Sequence, residues 1–196
     1  ASGVPVATVY PLTSGNNGTT TVAADYTNYQ SSGASVMQSF SNLSRPLVIF
    51  LPAVQSLGSG IAGVYADATS WAEANNSFVV IETGSEETVT QALTYAASLT
   101  STFAGAVYFP WIYIADPLGR GTGALRKIGP SGAIAGLYLA TDASRGVFKA
   151  PAGITTNLLN VVAMERSFSS AELDSMNSAT APLNPIRQIP GAGLSV

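Results

Sequence analysis

Three short apolar runs, "RPLVIFLP" (45–52), "SFVVIETG" (77–84) and "GAVYFPWIYIADP" (105–117), constrain this chain more than any other feature. Each has the length of a strand and is bounded by proline, glycine or small polar residues, the pattern of strands buried on both faces. Between them the apolar spacing changes to three and four. Ile61, Val64, Tyr65, Ala68, Trp71 and Ala72 fall on one face of a helix that follows Ser59. Val89, Ala92, Leu93, Ala96, Leu99 and Phe103 form a second amphipathic set. Glu86 and Glu87 precede it, where a helix dipole favours acids. Strand, helix, strand, helix, strand is the rhythm of a parallel sheet with right-handed crossovers. The expected fold class is therefore α/β, a layered sheet with flanking helices from residue 45 onward.

Residues 1–44 precede this as an irregular, β-rich segment with a turn signal at Asn16-Asn17-Gly18 and a possible hairpin arm at Thr19 to Val22. The strand 105–117 is expected to bend at Pro110. Residues 118–129 read as a loop, 131–143 as a helix and 158–167 as a strand. Ser169 or Ser170, with Glu172 behind it, caps a short helix that turns Leu173 and Met176 inward, and "NPIRQIPGAG" is extended. Two divisions follow, 1–44 and an α/β domain over 45–196.

Composition closes off several chemistries. Among 196 residues there is no cysteine and no histidine. Disulfides, thiolate metal sites, cysteine nucleophiles and a Ser-His-Asp triad are all excluded. Charged residues make up 10% of the chain, against about 25% in an average domain. So uncharged an exterior suits contact with other subunits. The net charge of -3 argues against a nucleic-acid partner. No run of about 18 apolar residues exists, so neither a transmembrane helix nor membrane insertion is expected. The first residues, "ASGVPVATVY", lack the charged and apolar regions of a signal peptide.

Two glycine-rich stretches invite a ligand. "GPSGAIAG" opens a helix whose free N–H groups could face an anion, but no lysine follows as a phosphate loop requires, and Ser131 reads as a helix cap. "GSGIAG" matches GxGxxG at Gly58, Gly60 and Gly63, with Glu82 in place for the acid of a dinucleotide site. The residues between Pro52 and Leu57 make that turn longer than the fingerprint allows, and close helix packing is the favoured reading of the glycines. Asp67, Glu73, Glu82, Asp116, Asp142 and Glu165 form no ligand cluster, so no catalytic residue, cofactor or metal is assigned. Trp111 and Tyr113 read as packing. The basic residues Arg120, Arg126, Lys127, Arg145 and Lys149 flank the 131–143 helix and are the candidate contacts to an acidic partner or to a neighbouring subunit.

Read in order, "YFPWIYIADPLG", "GPSGAIAGLYLATDASRGVFKAPAG", "ERSFSSAELDSMN" and "NPIRQIPGAGLSV" resemble the tail sheath proteins of contractile bacteriophages and related injection machines. The match is strong over about 105–196, in rhythm only over 45–104, and weak before that. The resemblance implies the family's subtilisin-like central domain, without subtilisin chemistry in a chain that has no histidine. Subunits of that family usually continue into a further C-terminal domain and carry arms that add strands to neighbours. This sequence ends at "GLSV", which implies a chain without that domain or a piece of a longer one.

The implied function is mechanical: helical polymerisation around a tail tube, followed by contraction that drives the tube through the host envelope. The implied partners are other copies of the chain, the tail tube protein, and baseplate and tail terminator proteins. The implied location is a virion tail sheath assembled in the host cytoplasm. A nucleotide-binding α/β enzyme using "GSGIAG" and a static capsid or baseplate component are the alternatives.

Overall fold

The computed structural model describes residues 19–28, 35–99, 104–119, 123–154, 156–178, 180 and 183–196. The three apolar runs become the parallel strands β1 (Val48–Phe50), β2 (Phe78–Glu82) and β3 (Gly105–Phe109). Helices α2 (Ile61–Ala74) and α3 (Val89–Ser98) connect them; α1 (Ala23–Thr27) lies earlier in the chain. A short late strand, β7 (Asn184–Pro185), completes the sheet in the order β1-β2-β3-β7, all neighbours parallel.

Strand alternation sorts the side chains into two cores. Ile49, Val79, Ile81, Val107 and Phe109 face α2 and α3, meeting Val64, Tyr65, Ala68, Ala72, Ala92 and Ala96. Val80 and Tyr108 face the other way, towards α4 (Ser131–Arg145), which buries Ile134 and Ala135 against them. The molecule thus has helices on both sheet faces. That two-sided burial is why the runs read as continuously apolar.

The expected bend at Pro110 is where the chain leaves the parallel sheet, with a cis bond at Phe109–Pro110. Beyond it β4 (Ile112–Ala115) pairs antiparallel with β5 (Leu125–Ile128) on one side and β6 (Val161–Met164) on the other. β5 corrects the reading of 118–129 as a loop. "LRKI" carries its apolar residues three apart rather than two, so it has no strand period, and only its partner β4 makes it a strand. A two-stranded ribbon, β8 (Arg187–Ile189) and β9 (Gly193–Ser195), closes the chain, and α5 (Ser170–Ser178) buries Met176 in the first core.

The early residues differ from expectation. Thr19–Val22 pair with no strand among the described residues; they lead into α1. Met37, in a 3-10 turn at Val36–Phe40, is buried in the first core, and Phe40 stacks edge-on against Trp71 at 6.1 Å. The turn signal at residues 16–18, Phe103 and Arg120 lie outside the described residues. No helix among the described residues is long and apolar enough to cross a membrane.

Candidate assembly surface

The basic residues around α4 fall into distinct environments. Lys127, on β5, points its amine at Glu86 (2.8 Å) and Glu165 (3.0 Å). Glu165 Oε1 also accepts the Glu86 backbone N–H at 2.9 Å and the Ser85 hydroxyl at 3.0 Å. Lys127 therefore ties the antiparallel sheet to the β2–α3 loop. The two carboxylates hold its amine well above the usual lysine range, and its charge in turn holds Glu86 below the usual carboxylate range. Arg126, the preceding residue on β5, faces the opposite way and is exposed.

Arg145 is exposed in the last turn of α4, where a cation complements the helix dipole. Lys149 folds back so that its amine donates to the carbonyls of Ala150 (3.0 Å) and Ala152 (3.3 Å). Of the five candidates, Arg126 and Arg145 present outward charge, while Lys127 and Lys149 are engaged within the chain.

Glu86 and Glu87 do not serve the dipole of α3. That helix begins after Thr88, whose hydroxyl accepts the Gln91 N–H at 3.3 Å while Gln91 Oε1 accepts the Thr88 N–H at 2.9 Å, a reciprocal capping box. The predicted cap of α5 is present: Ser169 Oγ accepts from Glu172 N at 3.3 Å, and Glu172 Oε2 accepts from Ser169 N at 2.8 Å. Arg166, unremarked in the sequence, binds Glu172 Oε1 at 2.7 Å and lies over the rings of Phe168 (5.6 Å) and Phe109 (5.9 Å).

Both glycine-rich stretches acquire structural partners. Gly60 stands at the N-cap of α2 with φ +74°, and a Cβ there would meet Ala23 Cβ at 2.6 Å, so α1 packs where the fingerprint reading places a pyrophosphate. Ser131 is the first residue of α4 rather than its cap. The cap comes from Glu82, whose Oε2 accepts the Ser131 N–H at 3.1 Å from the end of β2. Glu82 is 1% exposed and so cannot reach a ribose. Trp111 is a packing residue with a polar anchor, donating its indole N–H to the Thr83 carbonyl at 2.7 Å.

The surface feature that sequence reading missed is apolar. Leu139, Val147, Phe148, Ile154, Leu159 and Val162 are exposed, Phe148 to 87%, and all lie between the second half of α4 and β6. Beside them a groove of about 560 Å³ runs between α4 (Ala133, Gly136, Ala140, Ser144) and residues 156–159. The signal was present in "RGVFKAPAG", where two adjacent bulky apolar residues sit among turn-forming ones, too isolated to enter a core.

No protein-family model and no curated protein matches the chain. Solved structures do match. The sheath complex of an extracellular contractile injection system, PVC, in its contracted state superposes with a TM-score of 0.62 at 23% identity, over 82% of this chain and 41% of that one. The helical sheath of the anti-feeding prophage, also contracted, gives 0.59 at 22% identity, over 82% of this chain and 40% of that one. The chain thus spans about two fifths of the length of the sheath proteins it is similar to. Over that span the chain shares its fold with part of these two sheath proteins.

Proposed function

We propose that this chain is a unit of a contractile sheath, one that assembles helically with copies of itself around a tail tube and shortens to drive the tube through an envelope. The observation that carries this reading is the superposition on two contracted sheaths over 82% of the chain. The order of the motifs from residue 105 to 196 supports it. Its physical logic is two packings of rigid subunits, the contracted one lower in free energy.

In this reading the exposed apolar residues between Leu139 and Val162 are candidate subunit contacts, since a large exposed side chain such as Phe148 gains most when a neighbour covers it. Arg126 and Arg145 are the outward charges available to a tube or a neighbouring subunit. Arg120, Lys127 and Lys149 complete the proposed set, Lys127 and Lys149 acting chiefly through the loops they brace. The tube, the baseplate and the tail terminator are proposed partners, and a phage tail or phage-like injection particle is the proposed setting.

Electron microscopy of the protein, alone and with its tube, tests the reading. Sheath-like tubes or stacked rings are expected. A particle that stays monomeric at every concentration with its tube present refutes it. Arg126→Glu with Arg145→Glu is expected to weaken tube-dependent assembly while leaving the fold intact; unchanged assembly removes both residues from the interface.

A further inference from the structure

The junction between β2 and α4 contains a buried acid without a counter-cation among the described residues. Glu82 ends β2, is 1% exposed, and turns its carboxyl group under the first turn of α4. Oε2 accepts one hydrogen bond, from Ser131 N–H at 3.1 Å, whereas Oε1 is buried with no partner. The hydroxyl of Ser131, itself 1% exposed, is buried without a geometric partner and acts on the same carboxyl group.

The space is closed on the third side by Gly129, where any Cβ would run into the carboxyl atoms. The other elements packed here bring neutral groups. Tyr65 of α2 and Tyr95 of α3 lie close enough to sense its charge, and Gln55 donates to the Glu82 backbone carbonyl. Tyr108, the register partner on β3, shares its hydroxyl with Tyr138 of α4 at 2.8 Å. On β5 the amine of Lys127 is taken by Glu86 and Glu165, and Arg126 is exposed.

We propose that Glu82 is kept as a neutral carboxylic acid at the foot of α4, and that the seating of α4 on the sheet is thereby controlled by pH. A carboxylate here would bury a full charge held by one backbone N–H and at most the Ser131 hydroxyl, a costly arrangement. A proton on Oε1 removes that buried charge and leaves the bond from Ser131 N–H to Oε2 in place. Burial is the largest influence and outweighs the Ser131 hydroxyl and N–H, both of which favour the charged form: the net effect holds Glu82 above the usual carboxylate range. A folded-state value above the unfolded one gives stability that is complete in acid and declines as pH rises through the folded value. The joint exists whether or not the chain assembles, so its test does not depend on the sheath reading.

Glu82→Gln keeps an acceptor for Ser131 N–H and supplies a permanent donor in place of the proton. Thermal midpoints of the wild type and E82Q are compared from acid to mildly alkaline pH. The wild-type midpoint is expected to fall towards alkaline pH relative to E82Q, which lacks that decline and is the more stable of the two at the alkaline end. Parallel profiles overturn the proposal. Should E82Q not fold, the carboxyl carbon of Glu82 in the wild type, assigned through its own backbone, is followed by NMR across the same range. A carboxyl that is still un-ionised where exposed glutamates have ionised supports the proposal, and one that ionises with them overturns it.

Discussion

Ile134 and Leu139 lie five residues apart on α4, which at 100° per residue puts them on nearly opposite faces. Ile134 is 0% exposed, packed in the second core with Val80 and Tyr108; Leu139 is 60% exposed. Ile134→Ala removes three carbon atoms from a site that water does not reach. At roughly 0.8 kcal/mol per buried methylene the transfer loss is about 2.4 kcal/mol. The cavity left under a helix held by a sheet adds to this, and Ile→Ala changes of this kind cost ~2–5 kcal/mol. For a chain of this size each kcal/mol is worth about 2–4 °C, so the midpoint should fall by about 6–12 °C for a loss near 3 kcal/mol. Leu139→Ala should change stability by no more than about 0.5 kcal/mol. Urea titration followed by the fluorescence of Trp71 and Trp111 reads both variants. Equal losses, or a larger one for Leu139, would mean that α4 is rotated from the position described and that the second core is misassigned.

Thr88→Ala should cost about 1 kcal/mol, seen as a lower urea midpoint, because it removes the acceptor that closes the first turn of α3. Gly129→Ala should destabilise by at least ~1–3 kcal/mol, since the new methyl group must displace the Glu82 carboxyl from a packed site; a neutral outcome would contradict that approach. Phe148→Ser should leave the midpoint of the isolated protein unchanged and reduce self-assembly measured by sedimentation, because its ring is almost wholly exposed. On acidification, Glu86 and Glu172, both held below the usual carboxylate range, should surrender their stabilising contribution as pH falls through their folded values. Lys127→Met should remove the Glu86 share of that acid limb, visible as a shallower loss of midpoint below neutrality.

Legibility followed the physics of each segment. The parallel strands could be read because burial on both faces leaves an uninterrupted apolar run, and α2 and α3 because their buried residues repeat at three and four: Val64, Tyr65, Ala68 and Ala72, then Val89, Ala92 and Ala96. The α5 cap was legible because Ser169 and Glu172 make their bonds within four residues. What escaped was non-local. β5 is a strand only through β4. Glu82 and Ser131 are 49 residues apart in sequence, so a serine before a helix looked like its own cap when the cap came from another strand. Lys127 read as a surface cation because nothing in the sequence joins it to Glu165, 38 residues on. The exposed apolar residues escaped because sequence patterns report what a chain buries in itself, and Val147 and Phe148 are buried in nothing within it.

Both outer strands of the parallel sheet are stunted. β1 has three residues between Pro46 and Pro52, and β7 has two, one of them Pro185. Proline offers no amide hydrogen to a newcomer, and so short a rim gives a foreign strand almost nothing to zip onto. Lateral growth of this layer is therefore discouraged at both margins. Among the described residues, the outer edges without a ladder partner are those of β5, β6 and β8, while β9 is bridged on its far side by Asn157. The layer is a poor template for a foreign strand, and the strand edges still open among the described residues lie on the flank beyond Pro110.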